Sequence, residues 1–356
     1  MGRFQVMRTG TDQLTHVIRA DAFQGLGTGH IMRSLALAQE FMARGDKVIF
    51  VTHCEYPLIV ERLKEEGVEV FLMSGHYPDD GDLRALGEVL ARIGRLGAVV
   101  IDGYHFDGAY HSAVRELGAK TLVVDDFHHL ASYGPDMLLN QNVSAGSIQY
   151  DLPADRLLIG TKFALIRKEF LRRGRPSAHS DSVKSILITM GGEDIHNVTL
   201  KVLTALTNIN AKASVSIIAG AANPNLESLN AAIERSSSDV TLLHSVHDMA
   251  KVLERTDMCI SAGGSTCWEL CLYGIPSILV ATADNQLGIA RDLDKNGAAI
   301  YAGWHEDVTV GELERLCAGL LDSPARRNEL SLNARELVDG NGASRVVDSI
   351  YSTLLI

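Results

Sequence analysis

The feature that most constrains this chain is an alternation of short, β-branched apolar runs with longer stretches whose apolar residues recur at helical spacing. In the first half the runs are His16–Ala20, Lys47–Thr52, Val68–Leu72, Ala98–Asp102, Lys120–Asp125 and Met137–Asn140. Strands separated by helices do not pair as hairpins; they form a parallel sheet wrapped by helices. A polar, turn-rich segment, Arg172–Ser182, interrupts the pattern, which restarts with Ser185–Met190, Ser214–Ala219, Val240–Leu243, Asp257–Ser261, Pro276–Ala281 and Ala298–Tyr301. A chain of 356 residues holds about two domains of ordinary size, so the restart predicts two α/β domains, 1–171 and 172–356. No fixed-length repeat is visible, and the halves share architecture rather than sequence.

Composition narrows the chemistry. A formal net charge of -11 argues against broad binding to nucleic acid or anionic lipid, because both need a basic surface. Any acidic ligand then needs a local positive site. The five cysteines, Cys54, Cys259, Cys267, Cys271 and Cys317, follow no metal-ligand pattern and read as reduced, mostly core residues. Cys267 and Cys271 share a helix face, but no further ligand pattern joins them, and no metal is expected. Met1–Thr15 has no apolar leader, and no run reaches the ~18–20 apolar residues of a membrane span. A cytoplasmic protein is expected.

Ligands of open α/β sheets bind beyond the carboxyl ends of the strands, so the residues just after each strand carry the interest. The first strand ends Arg19-Ala20-Asp21 and runs through Gly25-Leu26-Gly27-Thr28-Gly29-His30 into a helical pattern. His30 is thereby placed at a helix N-terminus beside a glycine turn, where unpaired N–H groups favour negative charge. The glycine spacing is not the dinucleotide fingerprint, and a His30 that merely caps the helix fits the spacing equally well. The fourth strand ends at Asp102 and continues Gly103-Tyr104-His105-Phe106-Asp107. Read alone, Asp102 is expected to cap the next helix with Tyr104 packed beneath it. Asp125 and Asp126 close the fifth strand, again with capping as the default and metal binding as the lesser alternative. In the second half, Gly191-Gly192 and Gly263-Gly264-Ser265-Thr266 follow two strands and suit phosphate oxygens. The latter turn opens a helix that stops at Gly274, with Pro276 beyond it, which places Glu269 in the first turn. There it favours the positive end of the helix or accepts from ribose hydroxyls.

These pieces occur together in one known family. Arg-Ala-Asp with Gly-Thr-Gly-His and Met-Arg-Ser-Leu-Ala-Leu-Ala, Asp102-Gly103-Tyr104, Val-Asp-Asp, Asp136-Met-Leu-Leu-Asn-Gln-Asn142, Gly160-Thr-Lys-Phe-Ala-Leu-Ile-Arg167, Met-Gly-Gly and Asp284-Asn285-Gln286 run from Arg19 to about Gln286. In them the chain resembles the UDP-2,4-diacetamido-2,4,6-trideoxy-β-L-altropyranose hydrolases of pseudaminic acid synthesis, which are similar to the glycosyltransferase that makes peptidoglycan lipid II. The resemblance implies a GT-B-like α/β fold, two Rossmann-like domains with a cleft between them, the last helix packing back on the first domain. It implies metal-independent, inverting hydrolysis of the anomeric bond to UDP, with no cofactor and a UDP-sugar as the partner of a monomer or weak dimer. His30 falls on the family's catalytic histidine and Tyr104 on its active-site tyrosine; Glu269 and Asn285 fall on its nucleotide-side residues. The matching motifs place substrate contacts at Arg19, Asp21, Gly29, Arg33, Asp102, Arg167, Gly191, Gly192 and Gln286, and the glycine turn of the second half adds Gly263, Ser265 and Thr266. Two departures bear on the sugar: Asn140 stands where aspartate is expected and Phe163 where tyrosine is.

On this reading His30 is a general base for water, its pKa lowered by burial and the helix end or raised by a carboxylate such as Asp21. The glycine turns hold the departing diphosphate, and Arg19 and Arg33 either add charge to it or are ion-paired elsewhere. A glycosyltransferase of the same fold and a non-catalytic sugar-nucleotide binder are the alternatives. No basic amphipathic run marks the first half as a lipid-acceptor surface.

Overall fold

Among the described residues thirteen strands form two separate sheets, and every pairing in both is parallel. In the computed structural model, residues 13–79, 81–172, 182–220, 223–236, 239–244 and 246–355 are described. Residues 173–181 of the expected linker Arg172–Ser182, and residues 1–12, lie outside them. The first sheet contains β1 (Thr15–Ala20), β2 (Lys47–Thr52), β3 (Glu69–Leu72), β4 (Leu96–Asp102), β5 (Lys120–Val124), β6 (Met137–Asn140) and β7 (Leu157–Ile159). The second contains β8 (Ser185–Thr189), β9 (Ser214–Ala219), β10 (Val240–His244), β11 (Met258–Ala262), β12 (Ser277–Ala281) and β13 (Ile300–Trp304).

Both sheets repeat one winding. The first runs β3-β2-β1-β4-β5-β6-β7 and the second β10-β9-β8-β11-β12-β13. Each is the Rossmann order, in which the chain reverses direction across the sheet beside its first strand. The two reversal points lie between β1 and β4 and between β8 and β11, and the crevice above such a point is where doubly wound sheets bind ligands.

The chain divides into two units, the described residues of Met1–Lys168 with Gly340–Ile356, and those of Glu169–Asp339. In the first unit, alternate residues of a strand face opposite sides of the sheet. Ile18, Ala20, Ala98 and Val100 enter one core with Leu35 and Phe41 of helix Gly29–Ala43. Val17, Val99 and Ile101 enter the other, with Leu86 and Val89 of helix Gly81–Ala91 and Tyr110 and Val114 of helix Gly108–Glu116. Cover on both faces explains why β4 reads as a nearly unbroken apolar run. Helix Gly342–Thr353 joins this unit by inserting Val346, Val347 and Ile350 beside Phe41 and Leu35. A Cβ on Gly342 would stand 2.1 Å from the Ala164 carbonyl oxygen, so only glycine lets that helix start so close to the backbone. The second unit has its own core of Ile186, Ile188, Val215, Ile260 and Val280 under helices Val198–Asn208 and Val310–Leu321.

Candidate active site

The reversal point of the first sheet carries a buried polar cluster. β4 ends on Asp102, whose carboxylate is fully enclosed. Its Oδ1 accepts from His30 Nδ1 at 2.7 Å and from Arg33 Nη2 at 2.6 Å, and its Oδ2 accepts from Arg33 Nε and Ser34 Oγ, both at 2.8 Å. All three donors come from the first turns of helix Gly29–Ala43, where positions 30, 33 and 34 share one face. Burial opposes the charge of Asp102, but Arg33 and then His30 outweigh it and hold the carboxyl well below its ordinary range. Arg33 is likewise disfavoured by burial and kept charged by Asp102 and Asp126. An ionised carboxylate can only accept, so the 2.7 Å contact places a proton on His30 Nδ1, and in the neutral ring the lone pair is then on Nε2.

Tyr104 and Asp126 complete this cluster. The Tyr104 hydroxyl and Arg33 Nη1 both donate to Asp126 Oδ2, the latter at 2.6 Å. The Tyr104 ring stands edge-on to His30 with centroids 4.6 Å apart. Three sequence expectations are corrected here. Asp102 does not cap the following helix; Asp107 does, accepting from Tyr110 N at 2.8 Å. Asp125 and Asp126 cap no helix either: β5 runs into an irregular loop, in which Asp125 accepts from His128 N and pairs with His129 Nδ1, while Asp126 accepts from the Tyr104 hydroxyl that follows β4. His30 is not the helix cap: Thr28 occupies that position.

Arg19 and Asp21 belong to a neighbouring cluster. Arg19 is fully buried and forked between Asp21 and Asp82, with its Nη2 2.9 Å from Asp21 Oδ2. Asp21 also accepts from His53 N at 2.7 Å and faces His105 Nε2 at 2.8 Å. Burial raises its pKa, and His105, Arg19 and the His53 amide bring it down to about 2. The carboxylate beside His30 is therefore Asp102. Arg19 organises the strand ends from within, and Arg167 is buried ahead of helix Lys168–Arg172. Gly29 is exposed at the start of its helix.

In the second unit the glycine turns sit at the other reversal point. Gly191, at φ +82°, and Gly192 follow β8 and are exposed. Gly220, which sequence reasoning passed over, directly follows β9 and lies against this turn: a Cβ there would lie 2.0 Å from the Gly192 carbonyl oxygen. Gly263 follows β11 and lies against Gln286, whose Oε1 accepts from Thr282 N at 2.9 Å. Ser265 is the N-cap of helix Thr266–Tyr273, which puts Glu269 in the first turn as the termination signals predicted. Ser265, Thr266, Glu269 and Asn285 are half-buried. A helix N-terminus and a positive-φ turn at one sheet edge present N–H groups suited to phosphate. Among the described residues no group of His, Cys, Asp or Glu is placed to hold a metal ion, and no helix is long and apolar enough to cross a membrane.

Besides the role of Asp126, sequence reasoning missed Ser34. Its signal was its place four residues after His30, one turn along the same helix face. Asn140 donates from Nδ2 to the Tyr150 hydroxyl at 2.8 Å, a bond that an aspartate could not make. Phe163 joins the apolar core of the first unit.

Comparison with known proteins adds three kinds of likeness. The Glycosyltransferase family 28 C-terminal domain matches residues 185–350. The chain is 25% identical over 279 residues to the Uncharacterized protein MJ1062 of Methanocaldococcus jannaschii, covering 74% of this chain and 54% of that protein, about half its length. It is 25% identical over 287 residues to the UDP-2,4-diacetamido-2,4,6-trideoxy-beta-L-altropyranose hydrolase of Campylobacter jejuni, covering 79% of this chain and 96% of that protein. It is also 25% identical over 361 residues to the UDP-N-acetylglucosamine--N-acetylmuramyl-(pentapeptide) pyrophosphoryl-undecaprenol N-acetylglucosamine transferase of Campylobacter fetus, covering 92% and 98%. The crystal structure of MurG from Acinetobacter baumannii aligns with a TM-score of 0.64 at 19% identity over 95% of this chain and 99% of that one. The fold is thus of the GT-B glycosyltransferase type, with two Rossmann-like parallel sheets.

Proposed function

We propose that this chain hydrolyses a UDP-linked diacetamido-trideoxy sugar, releasing UDP and the free sugar for pseudaminic (nonulosonic) acid synthesis. The observation that carries the reading is the buried His30–Asp102 pair beneath Tyr104, at the reversal point of the first sheet. Support for the substrate comes from the likeness to the Campylobacter jejuni hydrolase, which covers nearly all of that protein.

The chemistry follows from the tautomer. With Nδ1 tied to Asp102, His30 Nε2 takes a proton from water as the water oxygen bonds to the anomeric carbon. The anomeric C–O bond to the diphosphate breaks with its electron pair on the phosphate oxygen, and attack from the opposite face inverts the centre. Asp102 stabilises the imidazolium that forms. Backbone donors of Gly191–Gly192 and Gly263–Thr266 receive the diphosphate charge, while Glu269 and Asn285 hold the nucleoside. Tyr104 packs on the reacting side of His30, and Arg33 keeps Asp102 in place.

Transfer of the sugar to an acceptor is the second reading, favoured by the family 28 match and by the transferase likeness across almost the whole chain. UDP release without any acceptor separates the two. Wild-type protein should release UDP from the synthetic diacetamido-trideoxy-altrose substrate with or without EDTA, and His30→Ala should be slower by about 10²–10⁴-fold. Tight UDP-sugar binding with no release would shift the assignment to transfer or to binding alone.

A further inference from the structure

A further carboxylate–imidazole pair lies against Tyr104. His129 Nδ1 lies 2.8 Å from Asp125 Oδ1, the same arrangement that His30 makes with Asp102. The His129 ring is edge-on to Tyr104 with centroids 5.5 Å apart, as His30 is at 4.6 Å. Its side chain is only 10% exposed, and its Nε2 is buried with no hydrogen-bond partner among the described residues.

The pair is held from behind by a polar relay. Asn140 Nδ2 donates to the Tyr150 hydroxyl at 2.8 Å, and Tyr150 donates to Asp125 Oδ2, which also accepts from His128 N at 2.9 Å. Burial raises the pKa of Asp125, but His129, Tyr150 and the His128 amide together hold it well below its ordinary range. An ionised Asp125 fixes the proton on His129 Nδ1 and leaves Nε2 as an acceptor in the neutral ring. Two more acceptors close by, Asp126 Oδ1 and Asn142 Oδ1, are buried without partners among the described residues. Asn142 is tied to this spot through Nδ2, which donates to the Asp126 carbonyl oxygen at 2.6 Å. Phe127, 42% exposed, lies 5.1 Å from the Tyr104 ring and 5.5 Å from His129 and supplies an apolar wall. Buried polar atoms are rarely left unpaired, and a group made of acceptors beside aromatic rings suits a ligand that brings N–H or O–H donors on an apolar frame.

We propose that His129, positioned by Asp125, is a second sugar-contacting residue, whose Nε2 accepts a hydrogen bond from an acylamino N–H or a hydroxyl of the sugar. Asp126 Oδ1 and Asn142 Oδ1 read a neighbouring donor, and Phe127 packs on the apolar part of the substituent. The assignment rests on the nucleotide-sugar reading above and adds the residues that select the sugar.

The test compares UDP with the UDP-diacetamido-trideoxy sugar by titration calorimetry, in a His30→Ala background that prevents turnover. Adding His129→Ala should weaken the UDP-sugar by about tenfold or more and change UDP by less than about twofold; His129→Gln, which keeps an acceptor, should recover part of the loss. Thermal melts confirm folding, and His129→Gln carries the comparison if the alanine variant fails to fold. Equal losses for both ligands, or none, would overturn the assignment. Should the protein with His30 intact bind the UDP-sugar without releasing UDP, the hydrolase reading falls, while a loss confined to the sugar in the His129 variants still supports this one. Failure of the His30→Ala protein to bind either ligand overturns both.

Discussion

At the scale of residues, the Asp102 cluster acts as one device, and its members are not independent. His30, Arg33 and Ser34 all donate to one carboxylate, so removing Asp102 frees His30 to turn and leaves a buried guanidinium short of charge. Asp102→Asn should cut UDP release by about the same 10²–10⁴-fold as His30→Ala, and the double variant should be no slower than His30→Ala alone, because groups that work together do not add. Rates of the four proteins give the result, and multiplying losses would show that the two residues act separately. A second residue-scale effect concerns stability. Burial pushes His111 down from 6.5 to about 4, with its Nδ1 2.7 Å from the Tyr133 carbonyl oxygen. The unfolded chain takes up a proton as pH falls below 6.5 and the folded protein does not until about 4, so this contribution to stability is present above 6.5 and lost through that window. Urea unfolding at pH 7 and 4.5 should differ by roughly 2 kcal/mol more in wild type than in His111→Gln.

At the scale of elements, the strands were legible and their partners were not. Every predicted strand exists: the central ones, covered on both faces, leave a continuous hydrophobic signature, and the half-exposed edge strands β3 and β10 show shorter apolar runs. β7 was missed: three residues ahead of Gly160, at φ +95°, are too few to show a period. The glycine turns and His30 stood out as sequence, but the bond from Arg33 to Asp102 spans 69 positions, and that from Tyr150 to Asp125 spans 25. Local capping rules therefore misplaced Asp102, Asp125 and Asp126, since sheet order, not spacing, decides what a strand-end carboxylate meets. Gly220 offers a test at this scale. With its Cβ site 2.0 Å from the Gly192 oxygen, Gly220→Ala must push the Gly191–Gly192 turn out of place. UDP should then bind about tenfold more weakly in calorimetry, with catalysis at saturating substrate less affected; unchanged affinity would remove that turn from the phosphate site.

At the scale of the molecule, the two sheets share a winding but differ in how their chain is assembled. The second unit is one continuous stretch, whereas the first borrows Gly340–Ile356. Val346, Val347, Ile350 and Leu354 are almost wholly buried in the first core, and at about 1.5–3 kcal/mol each their loss rivals the whole stability of an ordinary domain. A chain stopped after Asp339 should lose hydrogen-exchange protection in β1 to β6 while β8 to β13 remain protected; protection retained in β1 to β6 would show that the helix is dispensable. The same feature sets an order of events on the ribosome. Although Thr15–Ile159 is translated first, its core stays open along Leu35 and Phe41 until residues beyond 350 have left the exit tunnel, and by then 169–339 has already emerged complete. The half made later is the half that folds first, and the nascent N-terminal half is the one that needs shelter while it waits.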